Sequence, residues 1–141
     1  MMNSEAQIVS YHTALIYTMV LMSAADANMT DAELAVIGEI VRTLPVFKDY
    51  EPSLLTAAAE DCASLLGADG GFDTVLGVIT SSLPEKLRET AYALACEVAA
   101  ADLHAGEEEL RVLELFRYHL KLDRLAAAAI ERATRARHAT P

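Results

Sequence analysis

Four side chains with metal-binding or hydrogen-bonding atoms, Asp26, Asn28, Asp31 and Glu33, fall close together, and 76 positions later Asp102, His104, Glu107 and Glu109 repeat the arrangement. Carboxylates and an amide carbonyl are hard oxygen donors that suit a divalent cation such as calcium, magnesium or manganese. The imidazole of His104 shifts the second set toward zinc or another transition metal. A divalent metal held by these eight residues is therefore one reading. The other is structural: each Asp accepts hydrogen bonds from its loop or from the first amides of the next helix. Glu33 and Glu109 would then close capping boxes three residues after a cap. The same oxygen atoms cannot serve both purposes at once. The spacing differs from a calcium EF-hand, which needs a longer alternating loop, a central glycine and a distal glutamate.

Both sets are preceded by an Ala-Ala pair and followed by an apolar run, so the duplication extends to the elements that carry them. Leu34, Ile37, Ile40 and Leu44 match Leu110, Leu113, Phe116 and Leu120 at the same offset. Spacings of three and four put each quartet on one stripe of an amphipathic helix. The segments before the acids, residues 14–25 and 87–101, are apolar on almost every face, which marks helices enclosed by others. Asp26 and Asp102 follow these helices at the negative end of the dipole, where another negative charge needs compensation. The pattern predicts an all-α, single-domain bundle of about seven helices spanning residues 1–141. Its repeat units cover about 14–44 and 87–120, with both helix pairs around one core.

Along the chain, the first helix is expected over residues 4–25 and the second over 31–44, with Thr30 and Glu33 as a capping box and Pro45 after its end. A third begins near Pro52, turns Leu55, Ala58, Cys62 and Leu65 inward, and is stopped by Gly67 and Asp69-Gly70-Gly71. A fourth carries Phe72, Val75, Leu76 and Ile79 and ends near Leu83. For the fifth, Ser82 is the expected cap, with Pro84 in the first turn and Glu85 reaching back. The sixth spans residues 107–120, and its three leading glutamates suit the positive end of the helix dipole. The seventh starts at Asp123 and is expected to turn Leu125, Ala129 and Ala133 inward.

With 53% hydrophobic residues in 141, the chain can bury a substantial core. Its net charge of −10 is uneven: 18 acids face 4 bases up to Leu110, and 3 face 7 from Arg111 onward. The acidic body argues against nucleic-acid binding, which needs a basic face for phosphates. Arg132, Arg135 and Arg137 make a basic tail over residues 132–141, read as cations at a helix C-terminus. Residues 11–25 resemble a signal peptide in hydropathy but lack a basic leader and are too short to span a bilayer. No integral membrane segment is expected, and the default location is cytoplasmic. Cys62 and Cys96 fall on apolar faces and read as buried thiols. His12, His104, His119 and His138 accompany no recognisable nucleophile or phosphate loop. Glu97, set in an apolar helix, is the one acid to examine for acid–base chemistry; an edge position or pairing with a cation from another helix is the expected alternative. No enzymatic activity is expected.

The helix ending in Ala-Ala-Asp, with acids at the start of the next helix and the whole unit present twice, resembles the tellurite-resistance TerB-like family. The stretch from Ala91 through Asp102 to Glu107-Glu108-Glu109-Leu110 carries the likeness most fully, and Ala24-Ala25-Asp26 to Glu33-Leu34 is the second copy. Ala27 and Leu103 stand where the family commonly has glycine. The resemblance implies an all-helical, non-enzymatic binding or scaffolding component of bacterial cytoplasmic stress-response systems, with acidic loops proposed to bind metal. Carried over by position, it points to Asp26, Glu33, Asp102 and Glu109, with Asp31 and Glu107 as neighbouring acids. Two function classes follow. One is a metal-responsive module that presents an altered surface to a protein partner; the other is a metal-independent acidic scaffold or adaptor that binds a basic partner.

Overall fold

A computed structural model describes residues 7–24, 31–101 and 106–141 of the chain. Seven α-helices and no strand occur among them: α1 (Tyr11–Ser23), α2 (Asp31–Thr43), α3 (Leu55–Leu66), α4 (Gly71–Ser82), α5 (Arg88–Ala101), α6 (Glu107–His119) and α7 (Arg124–His138). The all-α expectation holds, and the elements fall close to where the hydrophobic periodicity puts them.

Helix α1 begins later than the apolar pattern suggests. Ser10 is its cap, with Oγ accepting from Thr13 N–H at 3.1 Å, which fixes the start at Tyr11. From Ala14 to Ser23 every residue of α1 is buried. A helix without a wet face must satisfy its hydroxyls internally, and it does: Thr18 donates to Ala14 O and Ser23 to Met19 O. Helices α3, α4 and α5 pack around α1, with α2 and α6 making lighter contact. Helix α5 is the second enclosed helix, packed against α1, α2, α6 and α7. The buried apolar side chains of all seven helices form one contiguous cluster.

Three details differ from the sequence expectation. Ser82 does not cap α5; its Oγ accepts from Val9 N–H at 3.0 Å, tying the strand of chain before α1 to the end of α4. The α5 entry is instead a short 3-10 turn, Glu85–Leu87, behind Pro84. On α7, Leu125, Ala129 and Ala133 face solvent, and the inner face is Ala127, Ile130 and Thr134. Small residues read as apolar in every direction, so periodicity in an alanine-rich helix does not choose a face. Polar ties to α5 and α6, described below, choose it.

Turn chemistry sets the links. Between α3 and α4, Gly70 sits at φ 67° and Gly71 lies so close to the preceding helix that a Cβ would come 2.3 Å from Leu65 O. Helix α6 ends in a Schellman turn, with Leu122 N–H on Arg117 O and Lys121 N–H on Tyr118 O, both 3.1 Å. That turn puts Lys121, a residue with a Cβ, at φ 55°.

These turns generate opposite expectations for chemical denaturation. Gly71→Ala is expected to lower stability by about 1–3 kcal/mol, because its new methyl meets backbone. Lys121→Gly is expected to raise it by about 0.5–1 kcal/mol, since glycine adopts this conformation without strain. A neutral Gly71→Ala would show that the α3–α4 approach is looser than described.

Candidate functional site

The acids at the helix starts occupy equivalent places. Asp31 and Glu107 open α2 and α6, whose bounds are separated by the same 76-residue offset, and both side chains are exposed. Two residues further on, Glu33 and Glu109 are fully buried. The leucines that follow them are not: Leu34 is 49% exposed and Leu110 62%. The apolar stripe read from sequence is therefore displaced at its first position in both copies. Ile37 and Ile40 are buried in α2, and Leu113, Phe116 and Leu120 in and after α6, but each stripe begins on a glutamate.

Burying a carboxylate without compensation costs several kcal/mol, so both must be held by polar groups of the fold, and both have partners. For Glu109 one is visible: Oε1 accepts from Gly106 N–H at 3.3 Å, half of a capping box, since Gly106 has no side chain to return the bond. Asp26, Asn28, Asp102 and His104 lie outside the described residues, as does Thr30, the expected cap partner of Glu33. Among the described residues no group of three or more His, Cys, Asp and Glu side chains is placed to hold a metal ion.

The duplication reaches further than the acids. A cleft of about 280 Å³ is lined by Val20, Leu34, Ile37, Leu55 and Ala59. A second, of about 430 Å³, is lined by Cys96, Leu110, Leu113, Glu131 and Arg135, each 76 positions on. Helices α3 and α7 thus complete equivalent three-helix units. Leu55 and Glu131, or Ala59 and Arg135, share no chemistry, which is why sequence comparison stops at the second helix of each unit.

Glu97 has a structural role. Its carboxylate forms an ion pair with Arg137, and His138 Nε2 lies 3.0 Å from its Oε2, so the acid ties α5 to the end of α7. The sequence alternative of a cation from another helix holds. A neighbouring network has no sequence motif: the buried Tyr92 hydroxyl donates to Glu131 Oε2 at 2.5 Å, and Arg117 Nη1 donates to that oxygen at 2.8 Å and to the hydroxyl at 2.9 Å. Burial and the Glu131 bond push the Tyr92 phenol well up. The only sequence signal was a tyrosine inside an apolar helix. His12 is similarly committed, with Nε2 3.0 Å from Val46 O and its ring stacked on Phe47.

An all-α bundle that presents acids at two equivalent helix starts is the class of protein that this fold and site define. The chain belongs to the TerB family: the family model described as tellurite resistance protein TerB matches residues 12–137. No curated protein and no solved structure gives a significant match. Among the described residues, no helix is long and apolar enough to cross a membrane.

Cys62 and Cys96 are free and buried, as the sequence suggests. Desolvation pushes Cys62 up to about 12 and Cys96 to about 11, against an ordinary value of 9.0. Raised folded-state values mean that the unfolded chain loses these protons first. Stability is expected to be unaffected by the thiols below pH 9 and to fall from there through pH 11–12, by at most about 1.4 kcal/mol per pH unit for each thiol. Urea midpoints across that window check this. The slope should flatten in a Cys62→Ala/Cys96→Ala protein, and an unchanged slope would rule out the thiols as its source.

Proposed function

We propose that this TerB-family chain is a non-enzymatic, cytoplasmic stress-response module that binds divalent metal at its two acidic interhelical loops. Occupancy fixes the loops and alters the surface offered to a protein partner. Asp26, Asn28, Asp31 and Glu33 form one ligand set, and Asp102, His104, Glu107 and Glu109 the other. Hard oxygen ligands suit calcium, magnesium or manganese; His104 adds affinity for zinc in the second set.

The observation that carries this reading is the paired burial of Glu33 and Glu109 while Leu34 and Leu110 face outward. A helix designed for packing alone would turn the leucine in and the glutamate out, for a gain of about 1.5–3 kcal/mol per leucine. Both copies do the reverse at the same turn, directly after the loops that hold Asp26 and Asp102. A buried carboxylate is preorganised as a ligand, because its rotamer is held by packing before the ion arrives. Family membership supports the association with tellurite resistance.

The competing reading, a metal-independent acidic scaffold or adaptor, is supported by the Gly106 contact, which gives Glu109 a capping task. Asparagine caps as well as aspartate but lacks the charge that holds a hard cation. On chelator-stripped protein, Asp26→Asn/Asp102→Asn and Glu33→Gln/Glu109→Gln are expected to keep apo stability within about 1 kcal/mol. Both should lose the calorimetric heat and the rise in melting temperature that calcium, magnesium, manganese or zinc gives the parent. Metal that binds the double variants with parental affinity and stoichiometry would sink the proposal, and so would a parent that none of the four metals stabilises.

A further inference from the structure

We infer that the outward faces of α3 and α7 are complementary, and that one copy of this chain docks its α7 on the α3 of the next. Helix α7 packs on α5 through Ala127, Ile130 and Thr134, leaving its opposite face bare. That face shows Leu125, 79% exposed, with Ala128 and Arg132. Helix α3 turns Cys62 inward and exposes Ala57 and Asp61, and Leu54, 54% exposed, ends the 3-10 turn Pro52–Leu54 that leads directly into it.

The two faces share a spacing. Each has a leucine, an alanine three residues on and a charge seven residues on, and residues so spaced lie along one side of a helix. The charges are opposite, Asp61 on α3 and Arg132 on α7. Side by side in parallel register, leucine meets leucine, the alanines allow close approach of the axes, and carboxylate meets guanidinium. A cleft of about 510 Å³ beside α3 adds Asp49 and Glu51 to its acidic side, whereas the cleft of about 520 Å³ beside α7 sets Arg117 and Arg124 among Glu114 and Glu131, so the match rests on the Leu54–Ala57–Asp61 and Leu125–Ala128–Arg132 faces themselves.

Charge complementarity selects a second copy as the occupant. With a net charge of −10, two copies repel in most orientations, and a contact that sets the basic α7 against an acidic face is the favourable one. An acidic helix from another protein would satisfy α7 but would leave the matched leucine, alanine and aspartate of α3 without a role. Because the two faces differ, the contact is head to tail and builds chains or a closed ring.

Sedimentation equilibrium on the full chain tests this. Mass is expected to exceed the monomer and grow with concentration at low salt, and to fall toward the monomer at about 1 M salt, where charges are screened beyond about 3 Å. Asp61→Arg and Arg132→Glu are each expected to weaken association by about tenfold or more. Mixing the two should restore it, because each supplies the reversed partner the other lacks. Leu125→Asp should weaken it independently. All three positions are exposed, and circular dichroism verifies that each variant folds. A parent that is monomeric at every concentration overturns the proposal and leaves α7 to an acidic partner of another kind; so does association that survives both reversals, or a mixture that stays monomeric.

Discussion

Helix α1 has no face that water can solvate, and the rest of the bundle follows from covering it. Ten consecutive buried residues, from Ala14 to Ser23, oblige neighbours on every side. Helices α3, α4 and α5 supply most of that cover. Helix α5 is nearly as apolar and is covered in turn by α2, α6 and α7. Two enclosed helices side by side therefore place α2 and α6 at the edges, where their N-terminal turns can carry charge.

The buried glutamates show how that arrangement is held in tension. Glu33 and Glu109 are fully buried, while Leu34 and Leu110 line clefts open to solvent. Each unit gives up part of its hydrophobic stabilisation at the same helical turn, beside the exposed acids Asp31 and Glu107 that open the helices. Repeated local departures from packing logic are expected at functional or strained positions. The α5–α7 contact differs in kind. Glu97 with Arg137 and His138, and Tyr92 with Arg117 and Glu131, orient an alanine-rich helix whose apolar surface alone is nearly uniform. Such polar ties specify a face more sharply than they add stability.

Helix identity, order and the enclosure of α1 and α5 could be read from residue types alone, because periodicity and all-round hydrophobicity report how many sides of a helix avoid water. So could the family, which rests on local pattern repeated at a fixed offset, and the equivalent helix starts that carry Asp31 with Glu33 and Glu107 with Glu109. What lay beyond sequence were choices between near-equal alternatives. Whether Glu33 or Leu34 turns inward is a rotation of one residue, decided by the neighbouring helices. Which side of α7 is buried depends on partners 14 to 41 positions away, at Arg117, Tyr92 and Glu97. The third helix of each unit is marked as equivalent only by the tertiary structure, in which Leu55 and Glu131 line corresponding clefts. Local chemistry determined what each segment is; which face it shows, and to which neighbour, was decided by contacts between segments distant in the chain, where a small difference in packing or a single ion pair outweighs intrinsic preference.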